Sequence, residues 1–336
     1  MSAAGPRSGR GRRRGPASVV PEAEFRSYYG LPVLNRPTWK PLDIAGYLFL
    51  GGLAGASSAL AAAVSTGAAP PPGRVRPGLV APLRFGAAGA IGLSLVALVH
   101  DLGRPARFYN MMRVFKPSSP MSVGSWILSV YAPAAIGTAA LDVVPLPGRL
   151  GPARRPLQHA AGLVAGLAGP AVATYTGVLI SDTAVPAWHG GYREMPFYFA
   201  SSASSAAGGL GLLTAPVDAS APARRLGVAG AVAELAVGRV MRARMGLAAE
   251  TFERGRAGRL LRAAEALTAA GAGLALAGRR SRAVSVAAGA GLLAGSALTR
   301  FGVFHAGVAS AEDPRYTVQP QRESLGSRPS EPPEPC

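Results

Sequence analysis

Cysteine is nearly absent: Cys336 stands alone, at the end of a tail of Ser, Pro and Glu. An iron–sulfur cluster takes about four thiolates and a structural zinc site usually at least two, so this chain cannot build either by itself and closes no internal disulfide. Metal-borne electrons would have to come from a partner. Lysine is scarce too, with only Lys40 and Lys116, so 33 of the 35 basic residues are Arg. Charged residues make up 15% of the 336 positions, where a soluble domain carries about 25%. That is too little to cover a water-facing surface, which argues against an ordinary cytosolic enzyme. The net charge of +18 could suit nucleic acid, but the cations fall in clusters between long uncharged stretches and do not interleave with aromatics along one face. The composition predicts membrane lipid as a partner and no nucleic acid.

What the chain does have is apolar length. About twenty apolar residues cross the hydrocarbon layer as a helix. Uncharged runs of that size occur at Ile44 to Gly73, Pro117 to Leu141, Pro156 to Ser181 and Met195 to Val217. Gly78 to Val99 joins them, with Arg84 near its start able to snorkel to the headgroups. Three weaker stretches follow: Leu226 to Val240 with Glu234 and Arg239, Ala257 to Gly278 with Arg259, Arg262 and Glu265, and Ala283 to Val303 with Arg300. The expected fold class is all-α, a polytopic membrane protein of about eight transmembrane helices. Glu234 and Glu265 would face the bundle interior or an interface, unless the sixth stretch is an amphipathic surface helix. Glycines four residues apart, Gly51 and Gly55, Gly162 and Gly166, and Gly208 in an alanine-rich stretch, let backbones approach closely. Pro133 and Pro170 fall mid-span, where each removes a backbone hydrogen bond and can open space for a ligand.

Residues 1–41 read as a disordered basic tail and interfacial lead-in, since Gly, Ser, Pro and Arg cannot bury enough apolar area to order themselves. The first long run starts too late and is too long for a cleavable signal peptide. Residues 42–217 hold five helices, 218–308 three more, and 309–336 a second disordered tail. With eight spans, 24 of the Lys and Arg residues lie on the side of the termini and 11 on the other. The positive-inside bias then places both termini in the cytoplasm of a multi-pass cell-membrane protein.

One segment is more specific. His100-Asp101-Leu102-Gly103-Arg104-Pro105 is followed by Arg107-Phe108, by Arg113-Val114-Phe115-Lys116-Pro117 and by Ser119-Pro120-Met121-Ser122-Val123-Gly124-Ser125-Trp126. Together with Ser181 to His189 and Glu312 to Arg322, it resembles the NrfD/PsrC family of polysulfide-reductase-type, quinone-interacting membrane subunits, in an actinobacterial-like branch, over about residues 25 to 323. The resemblance implies eight helices arranged as two four-helix bundles, with helices one to four holding the quinone site, and no haem or iron–sulfur cluster in the chain. It implies electron exchange between a docked, ferredoxin-like iron–sulfur subunit and the membrane quinone pool, with menaquinone as the exchangeable substrate. The iron–sulfur subunit would serve a molybdopterin catalytic subunit of the polysulfide or thiosulfate reductase or formate dehydrogenase type. Whether the membrane subunit is non-catalytic or itself quinone-reactive stays open.

Quinone chemistry moves two electrons and two protons, so the headgroup needs proton-exchanging neighbours. His100 titrates nearest neutral pH and Asp101 beside it can set its tautomer or relay a proton. Against this, Gly103 and Pro105 simply end a helix, and the nearby arginines anchor at the interface. Asp182 is either a proton carrier or a cap for Thr183. Tyr47, Tyr131 and Tyr175 can donate a hydroxyl to a quinone carbonyl or serve as packing tyrosines. Trp126 and Trp188 read as aromatic-belt residues, and Trp39 as a lead-in along the headgroups. Arg104, Arg107, Arg113 and Lys116 suit a docking surface for the iron–sulfur partner or a lipid-facing anchor. Two other classes compete. A haem-b anchor would pair His100 with His305 on one side, and a transporter would use the proline-broken helices as a pathway, though no inverted repeat stands out.

Overall fold

The computed structural model describes residues 33–35, 37, 39–68, 78–101, 110, 112–278 and 280–326. Among these, regular structure is entirely helical. The helices are α1 (Pro41–Ser65), α2 (Val80–Asp101), α3 (Pro120–Val143), α4 (Arg154–Ser181), the short α5 (Pro186–Gly190), α6 (Met195–Thr214), α7 (Ala221–Arg244), the single turn α8 (Glu250–Glu253), α9 (Gly255–Ala277), α10 (Arg282–Glu312) and α11 (Arg315–Gly326). The ends follow local chemistry. Pro41 opens α1 after extended Lys40, where its missing N–H costs nothing, and Asp43 sits in the first turn against the positive end of the helix dipole. Ser119 caps α3 by accepting from the Ser122 N–H, and Ser281 caps α10 by accepting from Val284.

Eight of these helices have twenty residues or more. Among the described residues, six segments are long and apolar enough to cross a membrane: Pro41–Ser65, Val80–Asp101, Pro120–Val143, Gly148–Ser181, Gly255–Ala277 and Arg282–Glu312. The two long helices outside that set are α6 and α7. Helix α6 is uncharged but rich in Ser and Gly, and its position explains why that suffices. It packs against α1, α4, α7 and α10, so its neighbours are helices and little of it meets lipid. The polytopic all-α expectation is met.

Packing divides the long helices into two rings of four. In the first, α1 packs on α2 and α4, and α3 on α2 and α4; in the second, α6 packs on α7 and α10, and α9 on α7 and α10. Contacts of α6 with α1 and α4, and of α10 with α1, join the rings. Small residues set the closest approaches. Gly55 of α1 and Gly169 of α4 lie backbone to backbone, each where a Cβ would collide with the other's carbonyl, and a Cβ on Gly208 of α6 would collide with the backbone of Gly227 of α7. In lipid, such contacts supply the packing that apolar burial cannot.

Several expectations shift. The first run ends as helix at Ser65, where Thr66 and then Gly67 at φ +76° turn the chain. Helix α10 runs on to Glu312, and α11 occupies part of the segment read as a C-terminal tail. Helix α7, the sixth stretch, packs on α6 and α9 and is not among the segments apolar enough to cross a membrane. Residues 1–32 and 327–336, the bulk of the basic tail and the extreme C-terminus, lie outside the described residues.

Candidate functional site

The end of the first ring that carries the start of α1, the end of α2 and the start of α3 is termed proximal. A pocket of roughly 500 Å³ opens there, lined by Trp39, Ile44, Tyr47, Leu48, Leu98, Asp101, Asn110, Met121, Leu179 and Ile180. Helices α1 to α4 each supply part of the wall, because the first ring leaves its proximal mouth uncovered. The lining is apolar with a few convergent polar groups, the usual chemistry of a site for a flat organic ligand. The Asp101 carboxylate lies near the Lys40 backbone, bringing the end of α2 beside the lead-in of α1. The Tyr47 side chain lies near that of Tyr175, whose ring lies against Gly124 of α3.

At the rim, His100 Nδ1 lies 2.9 Å from Asp43 Oδ2. A carboxylate is an acceptor, so Nδ1 carries the hydrogen and donates it, which leaves Nε2 as the nitrogen that exchanges protons. The His100 side chain is 62% exposed and Asp43 13%, so the carboxylate is fixed and the imidazole reaches solvent. The pair adjoins the lining residues Asp101 and Ile44 in sequence without itself lining the pocket.

Trp39 closes one side of the pocket, stacked on Trp188 of α5 with ring centroids 5.5 Å apart and planes 21° apart. Trp188 is fully buried and its indole N–H donates to the Val303 carbonyl of α10 at 2.8 Å. This corrects the aromatic-belt reading of Trp188: it is a core residue that ties the pocket wall to the second ring. Trp126 is exposed and meets Phe115 edge to face, with centroids 6.1 Å apart.

The other candidates are dispersed. Tyr131 is fully buried, its hydroxyl 2.9 Å from Ser58 Oγ. It lies eleven residues into α3, about 16 Å below the start of that helix, and does not line the pocket. Asp182 is exposed at the C-cap of α4, where its backbone N–H bonds the Val178 carbonyl; Thr183 donates to Ile180 rather than to the Asp182 side chain. Arg113 and Lys116 are exposed on the loop before α3, beside exposed Val114 and Phe115, while Arg104 and Arg107 lie outside the described residues. His100 and His305 sit on helices of different rings, α2 and α10. Among the described residues, His, Cys, Asp and Glu form no group of three that could hold a metal ion. From sequence Trp39 reads only as a lead-in along the headgroups, and neither Leu98 nor Met121 stands out as a wall of a pocket. Asp43, in the first turn of α1, comes to His100 only through folding.

A second cavity of roughly 530 Å³ lies between the rings, toward the far end of α1, lined by Ala56, Leu60, Pro170, Ala173, Ser204 and Leu226 among others. Pro170 borders it, while Pro133 lines neither cavity. Among its described lining residues Arg225 is the one titratable group, and none is an acid.

Polysulphide reductase, NrfD, is the family whose model matches this chain, over residues 34–278. The chain belongs to that family. No curated protein matches it. The matched span includes every residue lining the proximal pocket of this NrfD-family chain, together with both rings except α10. Membership makes a membrane subunit of the polysulfide-reductase type the coarse functional description.

Proposed function

We propose that the chain exchanges electrons between a docked iron–sulfur subunit and the membrane quinone pool, and that the quinone headgroup, menaquinone in the first instance, enters the proximal pocket of the first ring. One observation carries this reading: an apolar pocket of suitable size has Asp101 in its wall and the His100–Asp43 pair at its rim. The apolar residues Ile44, Leu48, Leu98 and Ile180 would exclude water from the ring, and Tyr47 would donate its hydroxyl to a carbonyl oxygen. Asp101 and His100 would deliver or remove the two protons that accompany two electrons, with His100 Nε2 in contact with proximal water. Asp182 and Tyr131, away from the pocket, would serve only a more remote proton route.

The iron–sulfur subunit, itself carrying electrons from a molybdopterin catalytic subunit, would dock on the same end. The loop of Arg113, Val114, Phe115 and Lys116 offers exposed apolar area with positive charge. Its shape is fixed by Ser122, whose hydroxyl donates to the Val114 carbonyl at 3.0 Å and accepts from the Lys116 N–H at 3.0 Å. Arg104 and Arg107 would extend that surface. A positive proximal end would place it and both termini in the cytoplasm. Electron transfer from the co-purified complex to a menaquinone analogue tests the proposal. Activity lost in His100→Ala and Asp101→Asn, with subunits still assembled, is expected; full activity in both would refute the site.

A further inference from the structure

The second ring contains a buried polar cluster that the proximal pocket does not use. Glu234 of α7 is 3% exposed and Arg300 of α10 is fully buried. Glu234 Oε1 accepts from the Thr299 hydroxyl at 2.8 Å, while Oε2 has no partner. Arg300 Nη2 donates to the Phe199 carbonyl at 2.7 Å and the guanidinium lies 3.9 Å over the Phe199 ring, yet Nε and Nη1 have no partner. The Ser205 and Thr268 hydroxyls are also buried without partners. Beside them Ser202 donates to Ser296 at 2.8 Å. A free carboxylate oxygen and a free guanidinium edge within electrostatic reach of each other cannot both stay dry in a low-dielectric core. Groups of this kind are normally bridged by internal water.

A polar column runs from this cluster along α7 to Arg242, two residues before the proximal end of that helix. Glu234, Gly238 and Arg242 recur every four residues along one face of α7, and the Tyr198 ring of α6 lies over Gly238, between the acid and the arginine. Arg242 Nη1 in turn pairs with Glu265 Oε1 of α9 at 2.6 Å, and the Glu265 side chain is 36% exposed. Every helix packed on Glu234 thus contributes: Tyr198 from α6, Arg242 from α7 itself, Glu265 from α9, and Thr299 and Arg300 from α10.

We propose that Glu234 is a proton-exchange site inside the second ring, with water bridging its free oxygen to Arg300 and protons arriving along the Glu265, Arg242 and Tyr198 column. On uptake, a hydronium ion at the proximal surface gives up a proton, the Glu234 carboxylate becomes a carboxylic acid, and water remains; release is the reverse, and no electron moves. Arg300 lets the ionised acid persist at this depth, and Thr299 orients it. The site is independent of where the quinone binds.

Infrared difference spectroscopy between acidic and neutral pH, on the full chain in lipid nanodiscs in H₂O and D₂O, tests this. Expected is a protonated-carboxyl C=O band that shifts down in D₂O, disappears in Glu234→Gln and persists in Glu265→Gln with hydrogen exchange slowed several-fold. A Glu234→Gln spectrum identical to the parent overturns the proposal. Should Glu234→Gln fail to give a helical, monodisperse protein, Thr299→Val decides. It keeps the acid and removes its donor, so the band must move to higher frequency, and an unmoved band overturns the proposal equally.

Discussion

His100 Nδ1 and Asp43 Oδ2 lie 2.9 Å apart, joining the last turn of α2 to the first turn of α1 at the mouth of the proximal pocket. The two residues are 57 positions apart in the chain, and only the antiparallel packing of α1 on α2 brings them together. The relationship orients the imidazole, so it should be felt in proton transfer before it is felt in stability.

Removing a general acid or base typically costs about 10²-fold or more in rate, so His100→Ala and Asp101→Asn should each lower quinone-linked turnover at least ~10-fold. Asp43→Asn should cost less, a few-fold, because the imidazole survives with its orientation loosened. If Asp43 acts through His100, the double variant will be no slower than His100→Ala alone. Steady-state turnover with a menaquinone analogue checks all three.

Gly55→Val should disrupt α1 against α4, because any Cβ there meets the Gly169 carbonyl. Overpacking of this kind costs about 1–3 kcal/mol or more. Gly46→Ala, in the same helix with nothing within 4 Å of the new Cβ, should be neutral or slightly stabilising. Thermal unfolding of the two variants in detergent, side by side, measures the contrast.

Arg300→Met leaves the Glu234 carboxylate buried without its countercharge and should destabilise the second ring by about 3–5 kcal/mol. Replacing both, as Glu234→Leu with Arg300→Met, removes the stranded charge and should recover most of that loss. The double-mutant cycle, read from unfolding midpoints, is expected to show coupling well above ~1 kcal/mol.

Charge reversal at Arg113 and Lys116 should weaken retention of the iron–sulfur subunit, and more so at low salt, since exposed charges act through screened electrostatics. Phe115→Ser should weaken it at all salt concentrations. Pull-down yield across an ionic-strength series distinguishes the two contributions.

The helices were legible because lipid imposes one demand on every exposed face: α1, α3 and α4 stand out as uncharged runs even where their edges move by a few residues. Helix α10 was truncated at Val303 in the sequence reading because His305 and the polar residues beyond it look like an ending, whereas Trp188 packs on Gly307 and Ser310 accepts the Ala187 N–H, holding the helix together to Glu312. The pocket was half legible. His100, Asp101 and Tyr47 come from types that exchange or donate protons, but Tyr131 is the same type and is spent on Ser58, which no spacing reveals. Trp188 misled for a related reason: an aromatic near a helix end reads as an interfacial anchor, and only tertiary packing turns it inward. Arg300 stood in the sequence only as a charge that weakened the last stretch, and it is fully buried.

The central claim is that quinone reacts in the first ring at the proximal end, and the two cavities allow it to be tested directly. Leu98→Trp fills the proximal pocket and Ala229→Trp the groove between the rings. Titrating a menaquinone analogue into the complex isolated through this chain should show binding and reduction lost in Leu98→Trp and unchanged in Ala229→Trp. Binding that survives Leu98→Trp and disappears in Ala229→Trp would contradict the account.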